Sequence, residues 1–205
     1  MPLVDRAGGL VPIVPAADDD ERLVQAFLRG DPDAPATLFD RYGQHVQRVL
    51  ARIVGYAEPE RLDLLHDVFV RALERIGDIK NPRALKSWLV GITVFTAREW
   101  VRRRRRSGSP LPPEHGAERA ATTSSPETAE AFRSFLALMD RFDDEERTMF
   151  TLRFLEGMNL QEIADACNLS ISTARRRVIV AEERFRKILP EYPALEERLE
   201  WGDKA

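Results

Sequence analysis

Apolar residues recur along this chain at intervals of three and four, which gathers them on one face of a helix with 3.6 residues per turn. Leu38, Tyr42, Val46, Val49 and Ile53 are spaced 4, 4, 3 and 4, so a helix is predicted from about Pro35. Leu62, Leu65, Phe69, Leu73 and Ile76 share one face of another helix, from about Glu58 to Ile76. The next starts near Pro82, where proline suits a first helical turn, carries Leu85, Trp88, Leu89 and Ile92, and ends in the run Arg102 to Arg106. Ahead of these, "DDDERLVQAFLRG" reads as a short helix whose opening acids suit the positive end of its dipole and whose Gly30 is a stop. Later, Phe132, Phe135, Leu136 and Met139 line one helix face, and Met149, Phe150, Leu152 and Phe154 belong to a helix ending at Gly157. "DDEE" at 143–146 offers that helix an acidic cap with a reciprocal carboxylate three residues on. The alternation of a strand is poorly signalled, so the chain is predicted to be all-α.

The period breaks at 107–126, "SGSPLPPEHGAERAATTSSP", a linker by composition. It divides the chain into two small helical domains, 18–106 and 127–189. Residues 1–17 read as a flexible arm and 190–205 as an acidic tail of unassigned role. With 43% hydrophobic residues a packed core is expected, and no apolar run approaches the roughly 20 residues of a membrane span. The N-terminal stretch lacks a basic leader, so no signal peptide is expected. The single cysteine, Cys167, excludes an internal disulfide and fits the reducing cytoplasm. His45, His66, His115 and Cys167 sit at no metal-ligand spacing, so neither metal nor cofactor is expected.

"LQEIADACNLSISTARRR" at 160–177 carries the first chemistry. Leu160, Ile163, Ala164 and Cys167 line one face of a short helix, and Asn168 tolerates the left-handed backbone of a tight turn. Leu169 plugs the corner, and Ser170 or Ser172 caps the following helix. There Ile171, Ala174, Val178, Ala181, Phe185 and Ile188 form the buried stripe, with Ser172 and Arg176 opposite and Arg175 and Arg177 on the flanks. That is a helix-turn-helix with a basic recognition helix.

Charge sharpens the picture. The chain has a net charge of -3, yet residues 170–189 hold six basic residues against two acids, and residues 98–106 hold six arginines against Glu99. Arginines on a helix often form only a solvated face, a reading that suits Arg184 and Arg186; two dense clusters favour nucleic-acid contact.

With both blocks in view, "LFDRYGQHVQRVLARI", "DLLHDVFVRALERI" and "LKSWLVGITVFTAREWVRRRRR" resemble region two of bacterial sigma factors. "DDEERTMFTLRFLEGMNLQEIADACNLSISTARRRVIVAEERFRK" resembles their region four. Two regions and a short linker are similar to the extracytoplasmic-function group. The resemblance implies a dissociable subunit that binds core RNA polymerase and promoter DNA, a function in transcription initiation and no enzymatic activity. Region two would grip the polymerase clamp and open the minus-ten element; region four would read the minus-thirty-five element. Such proteins are commonly held by an anti-sigma factor, and no residue here specifies one.

The family's polymerase-binding pattern falls on Asp63, His66 and Asp67, with His in place of the usual Gln. The DNA-binding candidates implied by the resemblance are Lys80, Asn81 and Arg83 in the loop "GDIKNPR", then Lys86, Arg98, Arg102 and Arg103, and on the recognition helix Ser172, Thr173, Arg175, Arg176 and Arg177. Phe95 stands where the family usually has Asn; an aromatic there could stack on an unpaired base, but Phe95 is read as core, as is Trp88. Val180 replaces a common Arg, and with Ile179 lies off the buried stripe. The rival readings are a stand-alone helix-turn-helix regulator with a sensing first block, and an adaptor that uses the helix-turn-helix as a docking surface.

Overall fold

The computed structural model describes residues 17–55, 59–107 and 126–196, and among these every regular element is a helix. The first half contains α1 (Ala17–Leu28), α2 (Ala34–Val54), α3 (Arg61–Arg75) and α4 (Leu85–Arg106). Leu38, Tyr42, Val46, Val49 and Ile53 of α2 are all buried, as their spacing predicted. The chain leaves α1 through Gly30, whose φ of 74° is open to glycine at little steric cost. Buried Asp20 of α1 accepts hydrogen bonds from the Tyr42 hydroxyl at 2.5 Å and from Arg41 at 3.2 Å, which fixes α1 on α2. Burial, then the Asp20 carboxylate, push the Tyr42 phenol well above its ordinary range.

The apolar face of α3 is turned from the predicted one. Leu64, Leu65, Val68, Phe69 and Ala72 are buried because α3 packs against both α2 and α4. Leu62 is left 64% exposed and Leu73 is also on the surface. The turn before α4 begins with Asn81, whose side chain accepts from the Arg83 N–H, and a 3-10 turn over Pro82–Ala84 precedes the helix proper.

The second half contains α5 (Pro126–Asp140), α6 (Asp144–Phe150), α7 (Leu160–Cys167), α8 (Ile171–Ile188) and α9 (Pro193–Glu196). The cap expected at "DDEE" forms: Asp143 accepts from the Glu145 and Glu146 amides, and Glu146 reaches back to the Asp143 amide. A second box, Asn159 with Glu162, starts α7. After α6 the helix loosens into a π turn over Thr151–Leu155, closed by Glu156 N–H to the Thr151 carbonyl at 2.9 Å. The helical body continues past residue 189, because α9 packs on α5 and buries Leu195.

The two halves share one continuous core rather than standing apart. Helix α4 packs along α7 and α2 meets α6. Gly91 of α4 permits the approach: a carbon at its Cβ position would lie 3.5 Å from Cβ of Ala166. The predicted arm at 1–17 and linker at 107–126 lie outside the described residues except for Ala17, Ser107 and Pro126, and so do residues 197–205 of the tail.

Candidate nucleic-acid interface

The turn between α7 and α8 follows from its sequence. Asn168 is the one described non-glycine residue with positive φ (53°), and Leu169 N–H then closes on the Ala164 carbonyl at 2.8 Å. Ser170 caps α8 by accepting from the Thr173 N–H at 3.2 Å. Ala174, Val178, Ala181, Phe185 and Ile188 form the buried stripe, and Phe185 stacks on Phe150 at a centroid distance of 4.6 Å. Ile171 departs from that prediction: in the first turn of α8 it is 46% exposed. The outer face of α8 presents Ser172, Arg175 and Arg176, with Ile179 and Val180 exposed beside them as predicted. Thr173 is half-buried, its hydroxyl 2.8 Å from Ser170 Oγ. Arg177 turns inward and pairs with Glu145 at the start of α6.

The basic end of α4 divides in the same way. Arg102 and Arg103 are exposed. Arg98 is half-buried 3.9 Å from the same Glu145 carboxylate, Arg105 pairs with Asp144 at 2.5 Å, and Arg104 lies over the Trp100 ring and 3.5 Å from Glu60. Phe95 is not core, contrary to the sequence reading. It is 53% exposed because the buried side of α4, from Leu89 to Val101, turns toward α2, α3 and α7 and away from this position. The Arg71 guanidinium sits 5.3 Å from its ring centroid and bonds Glu99 at 2.7 Å. That hydrogen bond holds the Glu99 carboxyl below its ordinary range. Trp88 is half-buried against the core, and Cys167 is buried, which pushes its thiol up.

Lys80, Arg83 and Lys86 are exposed around the turn that Asn81 caps, and Arg83 pairs with Glu21 at 3.2 Å. Asn81, Arg83 and Lys86 line one wall of a cleft of about 400 Å3 whose other wall is Glu156, Met158 and Glu162. Asp63 and His66 are exposed and Asp67 is half-buried on a separate surface, α3. Spacing alone did not reveal that exposed Leu62, Val70 and Leu73 accompany these acids, giving an acidic and apolar surface. No helix among the described residues is long and apolar enough to cross a membrane.

Two family models match the chain: Sigma-70 region 2 over residues 38–107 and Sigma-70, region 4 over residues 132–178, together more than half of it. The chain is similar to the RNA polymerase sigma-H factor of Pseudomonas aeruginosa, 28% identical over 183 residues that cover 84% of this chain and 94% of that one. It is 27% identical to the ECF RNA polymerase sigma-E factor of Escherichia coli K12, over 80% of this chain and 91% of that one. Among solved structures it resembles CnrH in complex with the cytosolic domain of CnrY, with a TM-score of 0.61 at 20% identity over 84% of this chain and 97% of that one. It also resembles the sigma factor RpoE in complex with the anti-sigma factor NepR from Bartonella quintana, with a TM-score of 0.55 at 16% identity over 84% and 97%. These two likenesses describe the fold.

Proposed function

Since the chain belongs to the sigma-70 family, in its extracytoplasmic-function group, we propose that the α3 surface seats it on core RNA polymerase while α4 and α8 face promoter DNA. The protein is an RNA polymerase sigma factor that directs promoter recognition and transcription initiation. It works in the cytoplasm with the polymerase, which supplies the catalysis. An anti-sigma factor is a fitting further partner, since two proteins of the same fold were solved with one or with a cytosolic domain bound.

The observation that carries the assignment of roles is the outer face of α8. Ser172, Arg175 and Arg176 are exposed there on the second helix of a helix-turn-helix. Such a face fits the major groove, where an arginine can bond both acceptors of a guanine. Lys80, Asn81, Arg83, Lys86, Arg102 and Arg103 serve the downstream element, and Arg98 and Arg177 join the DNA surface once freed from Glu145. Asp63, His66 and Asp67, with the apolar residues beside them, offer the polymerase a mixed surface that positive and apolar groups complement.

Footprinting tests this reading against the stand-alone regulator. The isolated protein is expected to protect promoter DNA weakly or not at all, and core polymerase to produce a specific footprint. A tight, sequence-specific footprint that polymerase leaves unchanged would favour the regulator.

A further inference from the structure

Two apolar side chains of α8 lie outside the core. Ile179 and Val180 are each 46% exposed. Each residue turns a helix by about 100°, which puts Ile179 about 140° and Val180 about 120° from the middle of the buried stripe. On the same outer face, Ser172, Arg175 and Arg176 all fall within about 60° of Ile179, and Val180 continues the face beyond Arg176. Both residues are β-branched, a type that gives up side-chain freedom in a helix. Core packing does not offset that cost here, so something outside the chain is the natural partner. The neighbours of the pair say what it is. Arg175, Arg176 and Ser172 suit the floor of the major groove, where base edges offer donors, acceptors and one apolar group, the C5 methyl of thymine.

We propose that Ile179 and Val180 read thymine methyl groups, so that the upstream element of this protein sets a T beside the G that an arginine bonds. The inference rests on the proposed function for the DNA that α8 meets, and on the exposure of the pair for what it touches there. A helix rises about 1.5 Å per residue, so the pair stands about 4.5 to 6 Å along α8 from Arg176. Base pairs rise about 3.4 Å. The thymine is therefore expected one or two base pairs from the guanine that Arg176 bonds. Cytosine in its place offers a bare C5 and an amino donor with no acceptor to meet, so the same pair of side chains disfavours it.

Deoxyuridine isolates the methyl, since it pairs as thymidine does and lacks only that group. The full chain with core polymerase first selects duplexes whose upstream element is randomised. Each enriched thymine is then replaced singly by deoxyuridine and binding is measured again. At a thymine within two base pairs of an enriched guanine, the change is expected to weaken binding about fourfold, the effect of burying one methyl group. Ile179→Ala with Val180→Ala is expected to abolish that difference. Absence of a sensitive thymine overturns the proposal, and so does a deoxyuridine penalty that the double variant retains. A double variant that no longer recovers core polymerase also overturns it, because the pair would then be a protein contact. The deoxyuridine measurement on the natural protein stands whatever the stability of the variant. If selection with polymerase enriches no sequence, the sigma reading has failed instead, and the selection is repeated with the chain alone. There an enriched thymine beside a guanine, with the same penalty, supports the methyl contact, and its absence overturns it.

Discussion

Arg52 of α2 donates to Glu156, at the end of the π turn, at 2.5 Å across the two halves of the chain, and the carboxylate is only 4% exposed. Burial pushes the Glu156 carboxyl up, but His45, Arg52 and Lys86 more than offset it, so it titrates below the usual carboxylate range. A depressed folded value means that the group stabilises the fold above its unfolded value, about pH 4.5, and loses that contribution as pH falls through the folded one. Glu156→Gln is expected to cost ~1–3 kcal/mol at neutral pH. In urea melts the difference from the natural protein should shrink steadily below about pH 4.5. A difference independent of pH would mean that the charge of Glu156 contributes nothing.

Asp63→Arg with Asp67→Arg is expected to abolish co-purification with core polymerase. Both sites are at the surface of α3, away from its buried residues, so the melting temperature should change little. Unchanged recovery with polymerase would remove this pair from the contact.

Arg176→Ala and Arg103→Ala should differ in kind. Arg176 is exposed on the outer face of α8, and its loss should weaken discrimination in the upstream element by ~1–3 kcal/mol. Arg103 is exposed on α4, and its loss should weaken binding to every sequence and lower the salt slope by about one. Binding measured with polymerase on matched and mismatched promoters at several salt concentrations separates the two.

Asn168 offers a test of the turn. With φ at 53°, Asn168→Gly should leave stability nearly unchanged, whereas Asn168→Val should cost ~1–2 kcal/mol because its branched side chain meets the backbone. Thermal unfolding of the two variants decides it.

The helices and the reader were largely legible in the chain because each rests on local rules. The period of α2, the carboxylates around Asp143, and Asn168 before Ser170 all act within a few residues of themselves. What was hidden is whatever one half does to the other. Gly91 and Ala166 carry no apolar signal, and Glu156 looks like an ordinary surface acid until Arg52 arrives from 104 residues away. Arg177 reads as a DNA contact by its angle on α8, but its angle says nothing of Glu145. Leu62 and Phe95 have core chemistry and surface positions, because two helix neighbours, not one, decide which side of α3 and α4 is covered.

The π turn at Thr151–Leu155 holds one residue more than an α turn would in the same place. Each residue turns a helix by about 100° and lengthens it by about 1.5 Å. Losing the extra residue there would let the stretch close as an ordinary α turn, with Glu156 still facing Arg52 and α7 and α8 kept in place. The alignment of the reader with the rest of the molecule is thus buffered against a change of length at this point. A lineage could gain or lose a single codon there and keep the reader in place, whereas the same change inside α8 would turn the rest of that helix by about 100°.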